Sequence, residues 1–76
     1  MLLKDAPMGV GLKISEISAN VTSKIKLFSM GLHTDDVIVK LNKSRFFPLL
    51  VRNCSCESIK IALGREWSDA IKVELA

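Results

Sequence analysis

Apolar residues recur at every second position in three separate runs of this chain, and at helical spacing in only one stretch. Val37, Val39 and Leu41 alternate with Ile38, Lys40 and Asn42. Ile59, Ile61 and Leu63 share one face of SIKIAL, and Ile71, Val73 and Leu75 alternate with Lys72 and Glu74 in IKVEL. A period of two sends successive side chains to opposite faces of an extended backbone, so each run predicts a half-buried strand. GLKISEIS adds a fourth strand, with Leu12 and Ile14 on one face. Ile17 follows at the wrong interval, which predicts a bulge near Ser15 and Glu16. PLLV opens a fifth, with Pro48 at its first residue, where a missing amide donor does least harm.

The helical stretch lies between Asn20 and Leu32. Val21, Ile25, Phe28 and Leu32 are spaced by four, three and four, one stripe of a short amphipathic helix, with Lys24, Lys26 and Ser29 left to face water. Asn20, Thr22 and Ser23 are all residue types that cap a helix N-terminus. Gly31 falls where a left-handed C-terminal cap is needed. LLKDAPMGVG reads as one helical turn followed by a turn at Pro7 and Gly9. Gly64 ends the fourth strand and EWSDA is a brief helical turn before the last.

Short strands with turn signals between them predict a mainly β single domain over residues 1–76: an SH3-like barrel of about five strands with one short helix across it. A chain of 76 residues buries about 60% of its unfolded surface, enough for one small core and too little for a deep catalytic cleft. The net charge of +3 comes from basic residues spread along the chain, not massed in a run. Phe28, Phe46, Phe47 and Trp67 are too few aromatics for a base-stacking platform. No apolar run approaches the roughly 18 residues of a membrane span, and the opening MLLKDAPMGVG is too interrupted for a signal peptide. The expectation is a cytoplasmic protein with reduced cysteines.

Three pieces of the chain, in this order, resemble the FeoA family, small proteins associated with the bacterial ferrous-iron transporter FeoB. They are KIKLFSMGL at 24–32, PLLV at 48–51 and IALGREWSDAIKV at 61–73. Leu27, Met30, Gly31 and Leu32 match the end of the family's helix. Ile61, Ala62, Leu63, Ala70, Ile71 and Val73 match its closing strands, and LLKDAPMG is similar to its opening. The chain has HTDD where the family often carries Pro-Gly, and NCSCES where it often has a glycine. The resemblance implies an SH3-like barrel and a non-enzymatic, cytosolic accessory of ferrous iron uptake. Such a protein binds the cytosolic portion of FeoB, affects its transport or GTPase, and is recruited to the inner face of the membrane through that partner. A monomer or weak dimer is expected, with no nucleic acid, no direct membrane insertion and no required cofactor.

The residues that bear chemistry also have plainer roles. FSMGLHTDD reads as a helix cap followed by a turn into a strand. His33 is favoured near a helix C-terminus as a cation, and Asp35 and Asp36 are turn formers. Cys54 and Cys56, two apart, point the same way from a strand. The alternative is a transition-metal sensor holding weak Fe2+ or Zn2+ through His33, Asp35 or Asp36, or through Cys54 and Cys56, with Glu57 or His33 as a third ligand. A closed site wants four ligands, and a second cysteine pair is absent from the sequence. No catalytic triad, phosphate-binding loop or dinucleotide fingerprint is present, and Arg65 with Glu66 reads as a solvated pair. A further alternative, weak RNA binding, predicts steep salt dependence. Partner binding is the better expectation, through Phe46, Phe47 and Pro48 in a loop and through Lys24 and Lys26 on the helix.

Overall fold

In a computed structural model of the chain, residues 1–42, 48–55 and 59–76 are described. A single 3-10 turn, Leu3–Asp5, leads into β1 (Gly11–Ile17), α1 (Val21–Ser29), β2 (Val37–Lys40), β3 (Leu49–Asn53), β4 (Ile59–Leu63), α2 (Arg65–Ala70) and β5 (Ile71–Leu75). The five strands form one antiparallel sheet in the order β4-β3-β2-β1-β5. All five strands and the main helix therefore fall where the periodicity placed them. The bulge does too: the β1–β5 register slips between Ile14 and Glu16, and the Ser15 hydroxyl donates to the Lys72 carbonyl across it.

Among the described residues the sheet does not close. β4 and β5 have no ladder between them there, so the architecture is one open antiparallel sheet with a short helix, and the expected closed barrel is not seen. The outer side of β5 is taken up instead by the first residues of the chain. The Met1 amino group donates to the Val73 carbonyl at 3.0 Å, and the Val73 amide donates to the Met1 carbonyl at 2.8 Å.

Inward-facing residues pair across the ladders. Leu12 lies opposite Ile38, Ile14 opposite Val73 and Val51 opposite Ile61. With Leu3, Leu27, Leu49, Leu63 and Ile71 they form one buried cluster, onto which Trp67 of α2 closes. Each fully buried Leu or Ile contributes on the order of 2 kcal/mol, and the cluster draws on every strand.

β2 turns the opposite face inward from the one its apolar alternation suggests. Ile38 and Lys40 are buried, while Val37, Val39 and Leu41 are half-buried. The cause is Lys40, 3% exposed, whose ammonium donates to the carbonyls of Leu3, Lys4 and Ala6 at 3.1, 3.3 and 2.8 Å. The Leu3 carbonyl also accepts from the Ala6 amide within the turn, at 3.2 Å, and a buried carbonyl left without a partner is costly. The lysine bonds all three carbonyls at once and ties the amino-terminal turn to the sheet. Burial pushes the Lys40 ammonium below the usual lysine pKa, an effect that the Asp5 carboxylate opposes.

Lys40→Met, which keeps the bulk and removes the donors, should lower stability by about 1–3 kcal/mol in chemical denaturation. The pH dependence has a definite sign. The folded state releases the Lys40 proton at lower pH than the unfolded chain, so between the lowered value and 10.5 the unfolded state holds more protons. Stability relative to Lys40→Met should therefore rise with pH across that window. A difference that falls or stays flat would contradict the burial effect. At the end of α1, Gly31 has φ +99°, and a Cβ there would come within 2.7 Å of the Ile59 Cδ1. Gly31→Ala should cost at least about 1 kcal/mol in the same measurement.

Candidate partner-binding surface

α1 begins with a side-chain cap. The Asn20 Oδ1 accepts from the Ser23 amide at 2.8 Å, as the run of capping residues predicted. It ends in a left-handed turn at Gly31, where the Leu32 amide reaches back to the Leu27 carbonyl at 3.2 Å. Between these caps only Leu27 is fully buried; Ser23 and Met30, on the same side, are half-buried. The stripe expected from spacing faces the other way. Val21, Ile25 and Phe28 are 73%, 64% and 66% exposed, and only Leu32, beyond the helix, joins the core.

The physical reason is that the helix carries two candidate stripes. Val21-Ile25-Phe28 is the more apolar, but Ser23-Leu27-Met30 is the one that continues into the Gly31 turn and the Leu32 anchor. That turn is fixed from outside the helix. The Asn53 amide, fully buried, donates to the Gly31 carbonyl at 2.6 Å and to the Asp36 Oδ2 at 2.8 Å, while its Oδ1 accepts from the Ser55 amide at 2.9 Å. The same Asp36 oxygen accepts from the His33 amide and from His33 Nδ1, both at 3.0 Å. A carboxylate only accepts, so Nδ1 carries a hydrogen in this arrangement. The turn also holds Asp35 at φ +73°, with its amide on the Ile14 carbonyl.

FSMGLHTDD is thus a helix cap and a hydrogen-bonded turn, as read. His33 meets Asp36 and packs against Phe28 in a tilted arrangement, with ring centroids 4.4 Å apart and planes at 59°. Asp35 lies apart from them, 3.7 Å from the Lys13 ammonium. Cys54 is exposed in the turn after β3. Among the described residues no three His, Cys, Asp or Glu side chains gather as a metal site. Phe46, Phe47, Cys56 and Glu57 lie outside the described residues. Pro48 is exposed, its carbonyl bonded by the Asn42 amide at 3.1 Å.

Lys24 and Lys26 are exposed as expected, and among the described residues neither is ion-paired. α1 has no acidic residue. A cleft lies along each of its flanks. One, of about 310 Å³, is lined by Ile17, Phe28, Leu32 and His33 with Lys24 at its side. The other, of about 320 Å³, is lined by Ala19, Trp67 and Ala70 with Lys26 and Glu66. Sequence reasoning placed the two lysines and missed Val21, Ile25 and Phe28 as surface residues. It also missed Asn53, whose one signal was a poor strand former at a strand end.

The FeoA domain family matches residues 1–75. No curated protein matches the chain. Among solved structures, the iron(II) transport protein A of Clostridium thermocellum aligns with a TM-score of 0.83 and 22% identity, over all of this chain and 46% of that one. This chain therefore spans less than half of that protein's length. A structure described as iron uptake regulatory protein (FeoA) aligns with a TM-score of 0.84 and 20% identity, over 100% of this chain and 97% of the other. The FeoA protein of Chlorobium tepidum aligns with a TM-score of 0.80 and 18% identity, over 99% and 70%. At these identities the three structures establish a shared fold.

Asp36→Ala strips one acceptor from three donors, two of them on the turn that aims α1. It should cost at least about 2 kcal/mol in denaturant unfolding, and the amide NMR signals of Gly31, His33 and Ser55 should shift together. Shifts confined to residues 35–37 would mean that the turn is held by something other than this carboxylate.

Proposed function

The chain belongs to the FeoA family, and on that premise we propose that it is a non-enzymatic accessory of ferrous iron uptake. It acts by contact with the cytosolic portion of an FeoB-type membrane transporter, and through that contact modulates transport or the transporter's GTPase. The observation that carries the reading is the stripe of Val21, Ile25 and Phe28, the more apolar side of α1, turned to solvent. A small domain gains stability by burying such residues, and contiguous exposed apolar surface on a soluble fold marks interaction sites. The aromatic Phe28, in ring contact with His33, is the kind of side chain that anchors an interface.

The rest of the molecule serves this surface as a frame. The sheet and its core hold the Gly31 turn, and the turn sets which side of α1 faces out. The reading places the protein at the inner face of the membrane through its partner; among the described residues no helix is long and apolar enough to cross a membrane. Lys24, Lys26 and the exposed Pro48 lie in surface that such a partner can reach.

A two-dimensional amide NMR titration of the reduced protein with the soluble cytosolic domain of an FeoB-type transporter tests the proposal. Signals of residues 21–28 should move and saturate. Ile25→Ser should weaken binding at least about tenfold while changing folding stability by less than about 1 kcal/mol, because Ile25 contributes nothing to the core. No shifts at saturating transporter domain would refute the function. Shifts confined to residues 46–48 would move the contact from α1 to that loop.

A further inference from the structure

Resting on the transporter-contact reading above, we infer that the partner presents an apolar groove rimmed by carboxylates. α1 lies in that groove as a helix, with Lys24 meeting the rim. Val21, Ile25 and Phe28 stand at i, i+4 and i+7. At about 100° per residue they fall within an arc of about 60° on the helix surface. That is the anchor pattern of a helix received by a groove. Lys24 borders this arc at about 60° from Val21, close enough to reach past an apolar floor to its edge.

The relief around α1 supports a groove over a flat surface. The helix is a ridge between two clefts, one floored by Ile17 and Leu32 beside Lys24, the other by Ala19 and Trp67 beside Lys26. The walls of a groove fill such depressions, whereas a bilayer surface would bridge them. The charges select the rim. α1 carries two lysines and no carboxylate. Glu16, the acidic residue in the cleft beside Lys24, is 3.6 Å from the Lys72 ammonium and so is engaged elsewhere. A second copy of this chain is a poor occupant. A twofold contact through this face would set two basic helices against each other, and like charges at an interface are repulsive; the carboxylates that border the face, Glu16 and Glu66, lie in the clefts to either side of the helix and not on it.

The test uses the full chain with three probes: the soluble cytosolic domain of an FeoB-type transporter, vesicles of phosphatidylglycerol and phosphatidylcholine, and the chain alone in sedimentation. The variants are Lys24→Glu, Lys24→Arg, Ile25→Ser and, as a net-charge control, Lys60→Glu on the exposed side of β4. Amide spectra confirm that each is folded. The expected result is that Lys24→Glu weakens transporter-domain binding at least about tenfold. Lys24→Arg and Lys60→Glu should each stay within about threefold of wild type, and wild-type affinity should fall with salt more steeply than that of Lys24→Glu. If Ile25→Ser weakens binding but Lys24→Glu does not, the groove has no acidic rim and the inference fails. If the wild type binds and neither substitution matters, the inference fails while the transporter-contact reading stands. If the wild type does not bind the domain at all, that reading falls and takes the inference with it. Vesicle binding or self-association abolished by Ile25→Ser would assign the stripe to a membrane or a second copy and overturn the inference.

Discussion

One carboxylate oxygen, Oδ2 of Asp36, gathers the His33 amide, the His33 ring and the Asn53 side chain, and the outward face of the molecule depends on that convergence. Asn53 passes the constraint on to the Gly31 carbonyl. Gly31 is the last point at which α1 can rotate about its axis before the chain is committed to Leu32 and the core. With that turn fixed, Leu27 must point inward and Phe28 must point out. Asn53 is fully buried with its side-chain amide paired at both ends, and Asp36 and His33 are half-buried around it; a satisfied polar network of this kind specifies one arrangement. It decides helix orientation against the apparent hydrophobic preference of the helix itself.

Lys40 plays a comparable part at the other end of the sheet. A lysine at a core position is unfavourable unless its donors are used, and here three carbonyls of the amino-terminal turn use them. Leu3 is carried into the core by that attachment. In both places a polar side chain reaching across the sequence settles a question that local hydrophobicity leaves open: which face of β2 is inside, and which face of α1 is outside.

This also accounts for what the sequence disclosed. Strand positions were legible because alternation is a local property, and Ile61, Leu63, Ile71 and Val73 repeat it without interruption. The β1 bulge was legible from the misplaced Ile17, and the helix caps from Asn20 and Gly31. The inward faces of β2 and α1 were not, because each rests on a contact between residues far apart in the chain: Lys40 with Leu3 and Ala6, Asn53 with Gly31. Sheet closure was likewise unreadable, since strand patterning states that strands pair but not that the two outer ones meet. Of the proposed contact surface, the exposure of the two lysines was legible from charge alone. The apolar stripe was seen and assigned to the wrong side, because a buried stripe and a solvent-facing one have the same spacing.

The first two residues give the sheet a polarity of a different kind. Met1 and Leu2 pair with Val73 and Lys72 and occupy the outer side of β5. Among the described residues, β4 has no strand beyond it. A sheet with two bare edges can add neighbours at both and grow into a fibre. A sheet with one can join a single other copy, and the pair then has no edge left to extend. The short amino-terminal strap therefore makes the two edges unlike: part of β5 is already paired, and among the described residues β4 is the edge left open.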